Sequence, residues 1–191
     1  MSAASRPRRV CVYCASSTRC DPAFHAAAGR LGELLAGAGI EIVYGGGSVG
    51  SMGALADGAL EAGGRVVGVI PEFMYDLEWA HEGLSELHVV EDMHERKRLM
   101  IADVDTILAL PGGSGTFEEL LEAITWKRLE LHAHPIVVVN VRGYYNALLR
   151  ALEQAVDLQF MGERRDEGLW TVIDSPEEAL DAIAADRTGE R

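Results

Sequence analysis

Two glycine-rich segments and one basic cluster are the residues whose types and spacing could do chemistry. Gly45-Gly46-Gly47-Ser48-Val49-Gly50 follows the apolar run EIVY, and Pro111-Gly112-Gly113-Ser114-Gly115-Thr116 follows TILAL. In both, a strand-like run feeds a helix-like one through residues without a Cβ. Such a turn lets the backbone approach a ligand closely, and the amides that open the helix face an anion. Gly45, Gly47 and Gly50 have the G-x-G-x-x-G spacing of dinucleotide-binding loops, and Glu72 lies about where a ribose-binding acid would be sought. No Lys-Ser/Thr pair follows, so the loop is not a triphosphate P-loop. The alternative is that these glycines only make a tight strand-to-helix turn. The second loop alters that balance, because two such loops suggest two edges of one anionic ligand pocket.

The segment Met93–Met100 reads MHERKRLM. Arg96, Lys97 and Arg98 fall in the first turns of a predicted helix, where cations oppose the helix dipole. A phosphate or another carboxylate would explain the placement. A solvated basic face paired with Glu91, Asp92 and Glu95 is the alternative, and one or two of the three are expected to be just that. Glu119 follows the second glycine loop. Thr116 and Glu119 also fit the S/T-x-x-E capping box, in which Glu119 would only satisfy backbone amides. Spacing alone leaves both readings open. Cys11 and Cys14 form a C-x-x-C, but within an apolar run rather than at the start of a helix. No second C-x-x-C and no H-x-x-x-H follow. Reduced, buried thiols are expected, and no metal site.

The elements that must position these groups alternate. Apolar runs at Val10–Ala15, Glu41–Tyr44, Arg65–Ile70, Glu86–Val90, Thr106–Leu110, Pro135–Asn140 and Leu169–Ile173 read as strands. Helices are predicted over Pro22–Gly39, Met52–Ala62, Met93–Ala102, Phe117–Leu131, Tyr144–Gln159 and Pro176–Ala185, with Pro71–Ser85 irregular and Asp186–Arg191 frayed. Short continuous apolar strands alternating with helices predict an α/β fold: a doubly wound, mostly parallel, Rossmann-like sheet with helices on both faces. A length of 191 residues, 48% hydrophobic, fits a single domain. In such sheets ligands sit at the carboxyl ends of the strands. The loops after Tyr44, Ile70, Val90 and Leu110 are therefore the candidates. A net charge of −13 argues against general nucleic-acid or anionic-membrane binding. No run approaches the roughly 20 apolar residues of a membrane span, and no long apolar run follows Met1–Arg9 as a signal peptide requires. A cytoplasmic location is expected.

Taken together, VCVYCASS at 10–17, GGGSVGSMG at 45–53, MHERK at 93–97, PGGSGTFEE at 111–119 and AITWKRLELHAHPIVVVNVRGYYN at 123–146 resemble the LOG ("lonely guy") family. Its members are cytokinin riboside 5′-monophosphate phosphoribohydrolases, long mislabelled as possible lysine decarboxylases. The resemblance runs from Val10 to about Phe160, and its signature is PGGxGTxxE. It implies a catalytic pair of Arg96 and Glu119. It implies substrate contacts from Glu78, Lys97, Gly113, Ser114, Gly115, Thr116, Glu118 and Thr125, and a phosphate loop of Gly45, Gly46, Gly47 and Gly50. The implied reaction is hydrolysis of AMP, or of an N6-substituted form such as isopentenyladenosine monophosphate, to free base and ribose 5-phosphate, with no cofactor. It also implies a homodimer or larger assembly with active sites near the interface. Phe117, Leu120, Leu121, Ile124, Trp126 and Leu129 give the helix after the signature a wider apolar surface than one sheet face needs, in keeping with a dimer. A dehydrogenase leaves the second loop and Arg96 unexplained, and a pyridoxal-phosphate decarboxylase needs a Schiff-base lysine. The strongest alternative is a non-catalytic nucleotide or cofactor carrier of the same fold.

Overall fold

The computed structural model describes residues 8–77, 79–161 and 168–185. The expected fraying of Asp186–Arg191 lies outside the described residues. The elements in chain order are β1 (Arg9–Tyr13), α1 (Pro22–Gly37), β2 (Glu41–Tyr44), α2 (Gly50–Glu61), β3 (Val66–Pro71), α3 (Glu72–Tyr75) and β4 (Glu86–Val90). Then come α4 (Met93–Ile101), β5 (Thr106–Ala109), α5 (Ser114–Arg128), β6 (Ile136–Val139), α6 (Asn146–Asp157), β7 (Thr171–Ile173) and α7 (Ala179–Ala185).

The strands form one seven-stranded sheet in the order β4-β3-β2-β1-β5-β6-β7. Every pairing is parallel. The five inner strands are buried on both faces, which is why they read as apolar runs, whereas the edge strands β4 and β7 leave Val89 and Val172 exposed. Val10, Val12, Ile42 and Leu108 face α1, α2 and α7, whereas Cys11, Val43, Ile107 and Val138 face α4, α5 and α6. Each such buried aliphatic side chain contributes roughly 1.5–3 kcal/mol. Helices α1 and α2 meet at glycine: a Cβ on Gly58 would lie 2.3 Å from the Gly29 carbonyl oxygen. The N-terminus of α1 is set by Asp21, whose side chain accepts from Ala23 N at 2.9 Å, with Pro22 in the first turn.

Strand order reverses between β1 and β5. Their register pairs Tyr13 with Ala109, and Leu110 N donates to Tyr13 O at 2.9 Å. The segments leaving these two strands therefore start side by side, at the topological switch point where ligands bind in such sheets.

Several segments differ from the sequence expectation: α2 and α5 open earlier, at Gly50 and Ser114, and Pro176–Glu178 form a 3-10 turn before α7. Within 71–85, α3 forms directly after β3, and Gly47 bridges Ala80 in antiparallel fashion. Helix α6 starts at Asn146 rather than Tyr144, because Val141–Gly143 make a 3-10 turn with Arg142 left-handed at φ 55. Asn140 Oδ1 then accepts Tyr145 N at 2.7 Å, which ends the turn. Among the described residues, no helix is long and apolar enough to cross a membrane.

Candidate active site

The signature loop ends in Gly113, an extended N-cap without a side chain, and α5 begins at Ser114. Thr116 is thus inside the first turn and Glu119 in the second, so the capping box that their spacing permits does not form. The first turn carries no acid. Gly113, Ser114 and Gly115 are exposed, and a Cβ on Gly113 or Gly115 would meet nothing within 4 Å. The first amides of a helix have no partner within it, and the dipole makes this end positive. The result is an open seat for an anion. Thr116, buried, folds back on Gly112, where a Cβ would stand 2.1 Å from its Oγ1.

Glu119 lies one and a half turns behind that seat and is only 6% exposed. Burial raises its pKa from 4.5 to about 7. The Arg96 charge opposes the rise, Glu118 adds to it, Lys97 opposes it and Glu122 adds to it. Arg96 is buried as well. Its Nε donates to Val69 O at 3.1 Å and its Nη2 to Gly45 O at 2.8 Å, so α4 is tied to the ends of β2 and β3. Nη1 lies against the thioethers of Met74 and Met93. The sequence allowed Lys97 to be a solvated cation, but it is buried between Glu118 and Glu122. Burial lowers its pKa, yet hydrogen bonds and charge from those two carboxylates outweigh this and raise it. Arg98 is the exposed neighbour.

The first glycine loop has a different part. A Cβ on Gly45 would stand 2.0 Å from Arg96 Nη2, so the missing side chain makes room for the guanidinium. Gly46 and Gly50 have φ of 76° and 65°, which only glycine adopts without strain. Ser48 N donates to Trp79 O and Met52 N to Ala15 O, both at 3.0 Å. Gly45, Gly46 and Gly47 are buried, and Gly50 packs on the backbone of Ser16 and Ser17.

The structure thus brings Arg96, Glu119, Lys97, Glu118 and both glycine loops to one end of the sheet. It does not bring Thr125 there. That residue is about 16 Å from Ser114 along α5, exposed, with its hydroxyl donating to Leu121 O at 2.7 Å. Glu78 lies outside the described residues. The exposed Ser16–Arg19 segment, which follows β1, lies against the first glycine loop, where Gly50 packs on Ser16 and Ser17. Its position follows from β1 pairing with β2, a strand order that no local pattern encodes. Cys11 and Cys14 are free, buried thiols whose pKa values burial and then the Glu119 charge push up.

A family model described as "Possible lysine decarboxylase" matches residues 52–183. Over 157 residues, 82% of this chain and 72% of the relative, the chain is 46% identical to a cytokinin riboside 5′-monophosphate phosphoribohydrolase of Arabidopsis thaliana. The chain belongs to the LOG family. A further LOG relative, a probable cytokinin riboside 5′-monophosphate phosphoribohydrolase of Oryza sativa subsp. japonica, is 41% identical over 181 residues, 95% of this chain and 72% of that one. Among solved structures, the molybdenum cofactor binding protein of Rippkaea orientalis superposes with a TM-score of 0.73 at 21% identity, covering 96% of this chain and 99% of that one. The Moco carrier protein of Chlamydomonas reinhardtii gives 0.72 at 22% identity, with 96% and 99% covered. These two share the fold of this LOG chain.

Proposed function

We propose that this LOG protein hydrolyses the N-glycosidic bond of nucleoside 5′-monophosphates, AMP or its N6-substituted forms such as isopentenyladenosine monophosphate. One observation carries the reading: a buried carboxyl with a pKa of about 7 stands behind an open, amide-lined helix N-terminus on the same helix. The amides of Gly113–Thr116 take the 5′-phosphate. The ribose then extends toward Glu119. As the C1′–N9 bond breaks, its electron pair leaves with the base, which takes up a proton from solvent, and positive charge develops on the ribose. The Glu119 carboxylate stabilises that charge and accepts a proton from the water that adds to C1′. The products are free base and ribose 5-phosphate.

Arg96 acts with Glu119. Its charge opposes the desolvation of the carboxyl, so a working share is ionised near neutrality. Lys97 and Glu118 join α4 to the signature helix and line the same end of the sheet. The first glycine loop, Gly45 to Gly50, supports the phosphate site by seating Arg96 and the Ser16–Arg19 segment.

The active assembly is a homodimer in this reading. Leu121 and Thr125 on α5 and Leu129 at its C-cap are spaced i, i+4 and i+8 and so share one stripe, and all three are exposed. Thr125, too far from its own site, reaches the partner's. Free thiols at Cys11, Cys14 and Cys20 fit a reducing compartment, the cytosol.

The test is chromatographic detection of free base after incubation with AMP, isopentenyladenosine monophosphate and the matching ribosides. The monophosphates should be cleaved and the ribosides scarcely at all. Equal kcat/KM for both refutes the phosphate site, and AMP binding without base release makes the protein a carrier.

A further inference from the structure

Both glycine loops are held from behind by tyrosine hydroxyls. Tyr44 donates to Gly47 O at 3.0 Å, Tyr145 to Leu110 O at 2.7 Å, and Tyr144 to Gly112 O. The two consecutive tyrosines after β6 thus grip two carbonyls of one loop. The consequences differ, because a trans peptide is planar and its C=O and the next residue's N–H point in opposite directions. The N–H that would follow the Leu110 carbonyl is missing, since Pro111 has none. The N–H that follows the Gly112 carbonyl belongs to Gly113, the N-cap of α5.

Gly112-Gly113 is the dipeptide of the loop with the greatest backbone freedom. Left without a partner, its central peptide can rotate and turn the Gly113 N–H away from a ligand. We infer that Tyr144 is a positioning residue for the signature loop. Its hydroxyl selects the peptide orientation in which Gly113 N–H joins the Ser114 and Gly115 amides at the anion seat. The inference rests on the 5′-phosphate site proposed above.

The ring itself is firmly placed. It stacks on Phe117 with centroids 6.0 Å apart and meets Phe24 and Tyr145 edge-on at 5.7 and 5.2 Å. The chain reaches this position through left-handed Arg142 and Gly143, with the Arg142 guanidinium on Asp21 at 2.7 Å. Tyr144→Phe therefore removes the hydroxyl and keeps the packing.

The experiment compares wild type, Tyr144→Phe and Tyr145→Phe as full chains, each in a Glu119→Gln background so that AMP is bound but not cleaved, by calorimetric Kd for AMP and for adenosine and by Tm. Wild type should bind AMP far more tightly than adenosine. In Tyr144→Phe the ratio of the two affinities should fall about tenfold, the loss of one hydrogen bond to a charged group, with Tm little changed. Tyr145→Phe should lower Tm, because it leaves the buried Leu110 carbonyl unpaired, and keep the ratio. An unchanged ratio in Tyr144→Phe overturns the inference, whatever happens to Tm. An equal fall in both variants also overturns it, since loop displacement would then be the cause. Wild type that binds AMP and adenosine alike refutes the phosphate site itself, before any variant is compared.

Discussion

Replacing Glu119 with glutamine sets catalysis and stability against each other. Burial raises the pKa of this carboxyl from 4.5 to about 7. At about 1.4 kcal/mol per pKa unit, ionising it in the folded protein costs about 3 kcal/mol more than in the unfolded chain, as an upper figure. The folded state holds the proton more tightly. The stability supplied by protonated Glu119 is therefore complete below about pH 4.5 and is lost as the pH rises through 7. Glu119→Gln cannot ionise, so it escapes that loss. At pH 4 wild type and variant should melt within a degree or two of each other. At pH 8.5 the variant should be the more stable, by up to about 3 kcal/mol, or roughly 5–10 °C for a chain of this size. Base release from AMP should meanwhile fall roughly 10²–10⁴-fold. Wild-type kcat/KM should rise with pH through about 7, as the carboxylate forms. The assays are Tm from pH 4 to 9 and chromatographic base release. If the variant turns over normally, or if its stability relative to wild type does not grow with pH, Glu119 is not the desolvated acid of this reaction.

Three other outcomes follow from the same geometry. Arg96→Ala should lose nearly all base release and about 1–3 kcal/mol of stability, because the buried Gly45 and Val69 carbonyls lose their donor; Arg98→Ala, at an exposed position, should match wild type in both activity and denaturant midpoint. Gly45→Ala puts a methyl 2.0 Å from Arg96 Nη2 and should cost about 1–3 kcal/mol together with most activity; a fully active, equally stable protein would show that the guanidinium is not seated there. Light scattering at micromolar concentration should report a dimer, and Leu121→Asp should shift it to monomer; a wild-type monomer refutes the shared site.

The inner strands were legible because each is largely an apolar run closed by glycine, proline or polar residues. IVVV at β6 and EIVY at β2 are predicted to within two residues. Glu119 and Arg96 were legible as residue types, but their burial was not. The Thr116–Glu119 spacing fits a capping box whether or not a helix begins there, and only the extended backbone at Gly113 shows that it begins earlier. Lys97 fits a solvated face until its partners are known, and these lie on a different helix. The dinucleotide-like spacing of the first glycine loop is real, yet its Ser48 amide goes to Trp79 O, and the Met52 amide in the first turn of α2 goes to Ala15 O. The wide apolar surface of α5 proved largely internal. Leu120 and Ile124 are buried, and Phe117 and Trp126 pack on the core, which leaves Leu121 and Leu129 outside. Each difference comes from a contact between residues distant in sequence.

Because the anion seat and Glu119 belong to the same helix, their separation is set by helical rise rather than by loop geometry. From Ser114 to Glu119 that is about 7.5 Å along the axis. The helix is a rigid gauge. In the proposed site, a nucleotide anchored by its terminal phosphate would have its anomeric carbon measured off against the carboxyl, and one additional phosphoryl group would carry that carbon past the mark. On the proposed reading, selection for the monophosphate would then be a matter of length, built into the backbone.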